Sequence, residues 1–274
     1  MRSRDSEHTI EGTLASLRAQ TVQPEIVVVD SGSRDRTLEI ARRFCDRLVQ
    51  LSPSQFTYGR ALNAGARAAS APVHFALSSH CVAKRPDWIE RSLAHYERSE
   101  VAATNGGGFV PGHGWLGREA RAGRVYYQDD VHARAHPYWG FSNHASSWRA
   151  SVWERYAFDE SLSAAEDKEW GLRVTAAGWV IVFDPALAVS RAHAWTSAPA
   201  FYRRKRKEAQ AIASFSEALP YRVRDLLGDW WHDLPDDRHT AFFNRFVNYR
   251  RLAGLAGRFA GHRAGINARA RPSR

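Results

Sequence analysis

The chain has 274 residues, of which 44% are hydrophobic and 25% are charged, as in a globular protein with one large domain or two small ones. This composition excludes a largely disordered chain, a collagen-like chain and a coiled coil, and the uncharged stretches are shorter than the roughly 18 residues of a membrane span. Met1 to Gln20 lacks the apolar run of a signal peptide, and two cysteines cannot form a disulfide framework, so we expect a cytoplasmic protein.

The net charge of +10 is concentrated in the last quarter of the chain. Residues 200–274 hold 16 basic and 7 acidic residues, which gives +9 for this part alone. A basic surface of this kind suits a polyanion, either nucleic acid or an anionic membrane. The alternative is an arginine-rich surface that contacts only solvent.

The first half of the chain alternates between helical and strand patterns. Apolar periodicity predicts helices over 9–19, 35–44, 59–69 and 86–96, and continuous apolar runs predict buried strands over 25–30 and 73–77. This βαβ order predicts an α/β fold with a mostly parallel central sheet flanked by helices. Ligands of such sheets bind beyond the carboxyl ends of the strands, where Asp30 and residues 78–80 lie.

The second half of the chain is less regular. Residues 105–143 are rich in Gly, His and aromatic residues, which is typical of a binding loop or lid. Further on, the patterns predict a helix over 166–177, a strand over 180–183 and helices over 199–215 and 240–259. We expect one domain over 1–218 and a basic, amphipathic helical extension over 219–274, disordered from residue 267.

Three segments together resemble family 2 glycosyltransferases with the GT-A fold. The subgroup they resemble most is the rhamnosyltransferase-like enzymes of bacterial surface-polysaccharide synthesis. The segments are Glu25–Thr37 (EIVVVDSGSRDRT); Phe56–Asn63 (FTYGRALN) with Ala76–Cys81 (ALSSHC); and Phe141–Asn143, Phe158–Glu160 and Glu166–Trp170 (EDKEW). The resemblance implies an inverting transferase that moves a sugar from a nucleoside-diphosphate donor to a saccharide or lipid-linked acceptor.

The resemblance assigns the catalytic base to the pair Glu166 and Asp167. Inverting transfer needs one base that deprotonates the acceptor hydroxyl, and the base is Asp167 by resemblance. A helix N-terminus would keep this carboxylate ionised, and Glu166 would orient the acceptor or support the base. The alternative is a pair of acids that only stabilises the helix dipole.

Further residues are predicted to bind the substrates. The resemblance gives Asp30 the base or ribose, and Asp30 could instead cap the next helix. The predicted nucleotide contacts are Asp30, Ser31, Ser33, Asn63, Ser78 and Arg204, and the predicted sugar or acceptor contacts are Trp139, Asn143 and Trp170. The basic run 203–207 could instead be a solvated face, and the loop residues could be ordinary packing.

The resemblance also implies a divalent cation, Mn²⁺ or Mg²⁺, held by an Asp-x-Asp motif. Here Ser78, Ser79 and His80 occupy that position, so both acids are missing. His80 and His193 are the candidate ligands, and the substitution predicts weaker metal binding or a leaving group stabilised by Arg and Lys. Alternatively, His80 is a structural histidine at a strand end.

The first strand and the C-terminal helix are the notable features of the two chain ends. Family members usually begin with a buried strand, whereas this chain starts near the end of that strand, which predicts a missing or truncated first strand. The C-terminal helix suits an anionic membrane at the inner face, or a close helix contact through Gly257, Gly261 and Gly265.

Two rival functions remain. One is a catalytically silent relative that binds a nucleotide or a glycan. The other, which is less favoured, is a nucleic-acid-binding protein, and we expect no nucleic-acid partner.

Overall fold

The computed structural model describes residues 1–106, 123–135, 141–191, 197–216 and 249–269. The strands are β1 (Arg2–Ser3), β2 (Val27–Asp30), β3 (Arg47–Gln50), β4 (Val73–Leu77), β5 (Cys81–Ala83), β6 (Val101–Asn105), β7 (Tyr126–Gln128), β8 (Ala145–Arg149), β9 (Val180–Phe183) and β10 (Val189–Arg191). The helices are α1 (Ile10–Arg18), α2 (Thr37–Arg42), α3 (Tyr58–Ala68), α4 (Trp88–Ala94), α5 (Asp130–Ala135), α6 (Ala150–Arg155), α7 (Glu166–Ala176), α8 (Ala198–Phe215) and α9 (Tyr249–Arg269).

The described strands form three sheets, and the largest of them is mixed. The order β1-β2-β3 is fully parallel, as predicted. The five-stranded sheet has the order β4-β8-β6-β9-β7, in which only β6 and β9 pair in parallel. The prediction of a mostly parallel central sheet is therefore wrong for this larger part, although the α/β class is confirmed.

The mixed sheet is not predicted because the strand β8, which lies between β4 and β6, is polar. Ser146 and Ser147 are almost completely buried, so β8 gives no apolar signal in the sequence. The Ser147 hydroxyl lies 2.7–2.8 Å from the hydroxyl oxygens of Ser92, Tyr96 and Thr104. This hydroxyl cluster satisfies the Ser147 hydroxyl, which burial of the strand removes from water.

The first strand is short and joins two sheets. Arg2 pairs with Val29 of β2 and forms an isolated parallel bridge with Ser78, directly after β4. Where the sequence predicted a missing or truncated strand, two residues are thus in place. Beyond them, a cavity of about 280 Å³ lies between β2 and β4. The amino group of Met1 donates to the Val27 carbonyl at 2.6 Å, and burial lowers the pKa of this amino group to about 5.

The sheets are covered by two apolar clusters. One packs α1 and α4 against β2 and β5, with Trp88 only 1% exposed. The other joins the mixed sheet to α7 through Trp148, Phe158 and Trp170. The second cluster fixes the position of α7, because Trp170 packs against Phe158 with ring centroids 5.3 Å apart.

The C-terminal helix α9 packs along α8 through glycines. A Cβ atom on Gly257 or Gly261 would lie 2.4 Å or 2.0 Å from the carbonyl oxygen of Tyr202 or Arg206. The two predicted uses of α9 were membrane binding and a close helix contact, and the glycine face serves the contact. Helix α9 continues to Arg269, so residues 267–269 are helical rather than disordered. The predicted boundary at 218/219 and the predicted start of this helix at 240 lie outside the described residues.

Replacing Gly261 with alanine is expected to destabilise the packed helices. The added methyl group would meet the Arg206 backbone, which cannot rotate away as a flexible side chain would. We expect a loss of about 1–3 kcal/mol in the free energy of unfolding, measured by urea denaturation.

The matched control is Gly12→Ala in α1, where a Cβ would meet no atom within 4 Å. It is expected to be neutral or stabilising by up to about 1 kcal/mol, because alanine favours helix. Equal effects of the two substitutions would contradict the close packing of α8 and α9.

Candidate functional site

Polar groups from three parts of the fold meet at the carboxyl ends of β2 and β4. The strand β1 lies next to both ends and carries Arg2 into the site. The Arg2 guanidinium donates to Asn143 Oδ1 at 2.7 Å, and Asn143 contacts the first residues of α7. The site therefore combines a strand end, the segment before β8 and a helix N-terminus.

The turn after β2 is organised by Asp30. Its carboxylate is fully buried and accepts from the backbone amides of Gly32 and Ser33 at 2.9 and 3.0 Å and from the Ser33 hydroxyl. Gly32 has φ of +86°, a conformation that favours glycine. The Asp30 carboxylate thus shapes this turn, and its partners are residues 32 and 33 rather than the first residues of α2, which begins at Thr37. Its contact with a nucleotide stays a prediction.

Residues 5–7 line the same turn from the opposite side. The Asp5 amide donates to the Ser33 hydroxyl at 2.9 Å, and the Glu7 amide donates to Asp35 at 3.0 Å. The Ser6 and Ser79 hydroxyls are 2.9 Å apart, which ties this segment to the end of β4. These contacts fix the spacing between the two strand ends where a ligand would bind.

The segment Ser78 to His80 connects β4 to β5. Ser78 and Ser79 are buried, and the Ser78 amide donates to the His144 carbonyl at 3.0 Å. In the part of the chain that the structure describes, no three His, Cys, Asp or Glu side chains gather into a metal-binding group. His193, the second predicted ligand, lies outside the described residues.

The acidic pair is placed by the start of α7. Ala165 adopts φ of +60° directly before the helix, so that Glu166 and Asp167 form its first turn. The Asn143 side-chain amide donates to Glu166 Oε1, and its backbone amide donates to Asp167 Oδ2 at 3.2 Å. Glu166 is 2% exposed. The predicted pair is thus assembled at the site together with the predicted Asn143.

Burial and charge raise the proton affinity of Glu166. Burial, and then the negative charge of Asp167, raise the pKa of Glu166 to about 7, against the opposing effect of Arg2. Burial also lowers the pKa of Lys168, whose ammonium donates to the Phe141 carbonyl at 2.7 Å. Near neutral pH, Glu166 therefore holds a proton for much of the time.

Arg204 reaches the site from α8. Burial lowers its pKa, but the negative charges of Glu208 and Asp167 outweigh this effect, so the pKa of Arg204 is raised overall. Its guanidinium pairs with Glu208 at 2.8 Å and remains half exposed. A cation therefore lies within electrostatic range of the acidic pair, as expected for a residue that neutralises a phosphate.

Two predicted site residues lie elsewhere. Trp170 is 0% exposed, and its indole nitrogen donates to the Tyr156 carbonyl at 2.6 Å, so the prediction of a sugar-stacking surface is corrected to a core residue. Asn63 is 2% exposed, and its amide makes four hydrogen bonds to residues 153–160. It has no capacity left for a nucleotide, and its role is to anchor that segment. The predicted Trp139 lies outside the described residues.

Two residues of the site had not been predicted, namely Arg2 and Tyr58. The Arg2 guanidinium lies 5.0 Å from the centre of the Tyr58 ring, which is 43% exposed. A two-residue strand has no periodicity, so nothing in the pattern pointed to Arg2. Tyr58 lies inside the segment 56–63 that carried the resemblance, and that was the only signal for it.

Comparison with known proteins places this geometry in a family. The sequence model of Glycosyl transferase family 2 matches residues 2–156, more than half of the chain. The chain is 26% identical over 199 residues to the O-antigen chain rhamnosyltransferase WbaN of Salmonella anatum. This match covers 69% of the chain and spans 63% of the length of that relative.

Solved structures agree with the fold. A mannosyltransferase from Pyrobaculum calidifontis, in complex with GDP-Man and Mn²⁺, covers 97% of this chain and 85% of its own at 15% identity, with a TM-score of 0.69. TarS from S. aureus (residues 1–349), in complex with UDP-GlcNAc, covers 97% and 90% at 18% identity, with a TM-score of 0.54. The expected GT-A fold is confirmed, and the chain belongs to glycosyltransferase family 2.

Proposed function

We propose that this chain is an inverting glycosyltransferase. It moves a sugar from a nucleoside-diphosphate donor to a saccharide or lipid-linked acceptor in the synthesis of a cell-surface polysaccharide. The observation that carries the proposal is the acidic pair at the start of α7, held by Asn143 beside the carboxyl ends of β2 and β4. Support comes from WbaN, named as an O-antigen chain rhamnosyltransferase.

The chemistry is a single displacement at the anomeric carbon. The Asp167 carboxylate takes the proton of the acceptor hydroxyl while the acceptor oxygen forms a bond to that carbon. The bond between the carbon and the diphosphate oxygen breaks, and the electron pair leaves with the nucleoside diphosphate. Attack from the face opposite the leaving group inverts the configuration. Glu166, protonated for much of the time at neutral pH, supports Asp167 without competing for the acceptor proton.

The leaving diphosphate needs positive charge or hydrogen-bond donors. Arg204, which interacts electrostatically with Asp167, supplies the positive charge. The Ser78 hydroxyl supplies a hydrogen-bond donor. The turn of Asp30, Ser31 and Ser33 takes the base or ribose, as this position does at a strand end. Asn143 would contact the acceptor or the transferred sugar with the side-chain hydrogen-bonding capacity that remains beside its bonds to Arg2 and Glu166.

A divalent cation is plausible from the Mn²⁺ complex of the Pyrobaculum mannosyltransferase, but the residues here fit it poorly. Hard cations prefer carboxylate oxygens, whereas Ser78, Ser79 and His80 stand at the expected position. Among the described residues, no three His, Cys, Asp or Glu side chains are close enough together to hold a metal ion. His80 is the one ligand that we propose in this triplet.

Nucleotide binding tests the proposal directly. We expect calorimetric titration with UDP, dTDP, GDP and CMP to show selective binding of one of them. Because the acids of the metal motif are absent, Mn²⁺ is expected to change the affinity by less than about 10-fold, and His80→Ala to remove that change. The catalytically silent relative would bind a nucleotide without turnover, and failure to bind any of the four would contradict the transferase proposal.

We also propose a location, the cytoplasm with a peripheral position on the inner face of the plasma membrane. Among the described helices, none is both long enough and apolar enough to cross a bilayer. Helix α9 exposes Leu252 and Arg263 away from its glycine face, a combination that suits an anionic surface. A protein that stays in the supernatant with anionic vesicles at low salt would rule out the membrane contact.

A further inference from the structure

Arg2 contacts three residues of the site, although no sequence pattern predicted it there. Its guanidinium donates to Asn143 Oδ1 at 2.7 Å, lies 3.9 Å from Glu166 Oε1 and stacks over the Tyr58 ring. The side chain is 16% exposed, so most of it is shielded from water. A guanidinium in such a place strongly orients the groups that it contacts.

Asn143 links Arg2 to both acids through hydrogen bonds. Its side-chain nitrogen donates to Glu166 Oε1 and its backbone nitrogen donates to Asp167 Oδ2. Arginine can only donate, so the Asn143 side-chain oxygen must face Arg2, and the Asn143 side-chain nitrogen then faces Glu166. Glu166 Oε1 can accept from that nitrogen in either protonation state of the carboxyl. Without Arg2, this preference would be lost.

The positive charge of Arg2 also offsets a repulsion. Glu166 and Asp167 are neighbours, and one of them is almost fully buried, so two negative charges there repel each other. Two other cations lie near the pair: Lys168 donates to the Phe141 carbonyl, and Arg204 pairs with Glu208. Arg2 lies 3.9 Å from Glu166 Oε1 and is linked to the pair by its hydrogen bond to Asn143.

We propose that Arg2 is a positioning residue for transfer, which through Asn143 holds Glu166 and Asp167 in the arrangement that accepts the acceptor proton. The inference rests on the proposed function for its kinetic consequence. The contact network itself does not depend on that function. Arg2 touches no reacting atom, so its effect passes through the two carboxylates.

The experiment compares Arg2→Met with Arg2→Lys and with the control Arg4→Met. Arg4 lies two residues further along, is half exposed and pairs only weakly with Asp5 at 3.7 Å. We expect Arg2→Met to lower kcat for nucleotide release from the donor by about 10- to 100-fold, since misplaced reacting groups cost this much. The donor KM is expected to change little. Arg2→Lys should recover part of the rate, and Arg4→Met should match the parent protein.

A second readout does not require turnover. A ¹³C NMR titration of the side-chain carboxyls gives the pH at which Glu166 is half protonated. In Arg2→Met this midpoint should lie at higher pH than in the parent protein, because Arg2 opposes the rise in the Glu166 pKa. Arg4→Met should leave that midpoint in place. Thermal unfolding of each variant confirms that it is folded; a variant that is not folded is replaced by Arg2→Gln.

The two proposals fail in different ways. If the parent protein releases no nucleotide while the Glu166 titration still responds to Arg2→Met, the proposed function fails and the positioning of the pair stands. If the parent protein turns over and Arg2→Met changes neither kcat nor the Glu166 titration, the role of Arg2 is overturned.

Discussion

Replacement of Asp167 by asparagine is expected to reduce donor turnover by about 10²- to 10⁴-fold, the range for loss of a general base. Asparagine has nearly the same shape but cannot take the acceptor proton. Its side-chain oxygen can still accept from the Asn143 backbone amide, which now donates to Asp167 Oδ2 at 3.2 Å. Folding should therefore survive while the proton transfer is lost. Initial rates of nucleotide release measure the effect, and nucleotide titration checks that binding remains.

The matched control is Glu169→Gln in the same first turn of α7. Glu169 pairs with Arg173 at 2.8 Å and has no contact with Asn143. We expect this variant to keep turnover within about 2-fold, because it changes the charge of the helix end without touching the pair. A similar loss in both variants would mean that general helix electrostatics, rather than a base, controls the rate.

Replacement of Glu166 by glutamine is expected to change how stability depends on pH. The Glu166 pKa is raised from 4.5 to about 7 by burial and by Asp167. Below pH 4.5 the carboxyl is protonated in both states, and between pH 4.5 and 7 the unfolded chain releases its proton first. Stability therefore falls as pH rises through this window, by about 3 kcal/mol in total.

Glutamine removes this titration and keeps an oxygen that accepts from Asn143. We expect the loss of unfolding free energy between pH 5 and pH 8 to be smaller in Glu166→Gln than in the parent protein by about 2.5 kcal/mol, because part of the change already occurs below pH 5. Urea unfolding at the two pH values gives the comparison. The other titrating groups contribute equally in the two proteins, so their contributions cancel in the difference. An identical pH dependence in both proteins would mean that Glu166 is not buried as described.

The elements with strong periodicity were predictable. The strand over 73–77 and the strand over 180–183 match β4 and β9 to the residue, and the helices over 9–19 and 166–177 match α1 and α7 within one residue at each end. These segments bury one continuous run or one helical face, so their apolar spacing reports their structure. The pattern located the helix start at which the acidic pair lies, whereas the catalytic role of the pair came from the resemblance.

Other parts depended on interactions that the sequence pattern does not show. The strand β8 is buried through a network of hydroxyl groups, so its serines look like loop residues. Trp170 lies three residues after Asp167, a spacing that places both on one side of a helix. That spacing does not tell whether this side of the helix meets a ligand or the core. Arg2 acts through a contact with residue 143, which is distant in sequence.

The central claim is that this site transfers a sugar with inversion, and the anomeric configuration of the released sugar tests it most directly. The protein and Asp167→Asn are each incubated with dTDP-rhamnose, UDP-GlcNAc and GDP-mannose, with water as the acceptor, and followed by ¹H NMR. We predict that the parent protein hydrolyses one donor, that the first sugar to appear has the inverted configuration, and that Asp167→Asn is at least about 100-fold slower. Retained configuration, or equal rates in both proteins, would contradict the account.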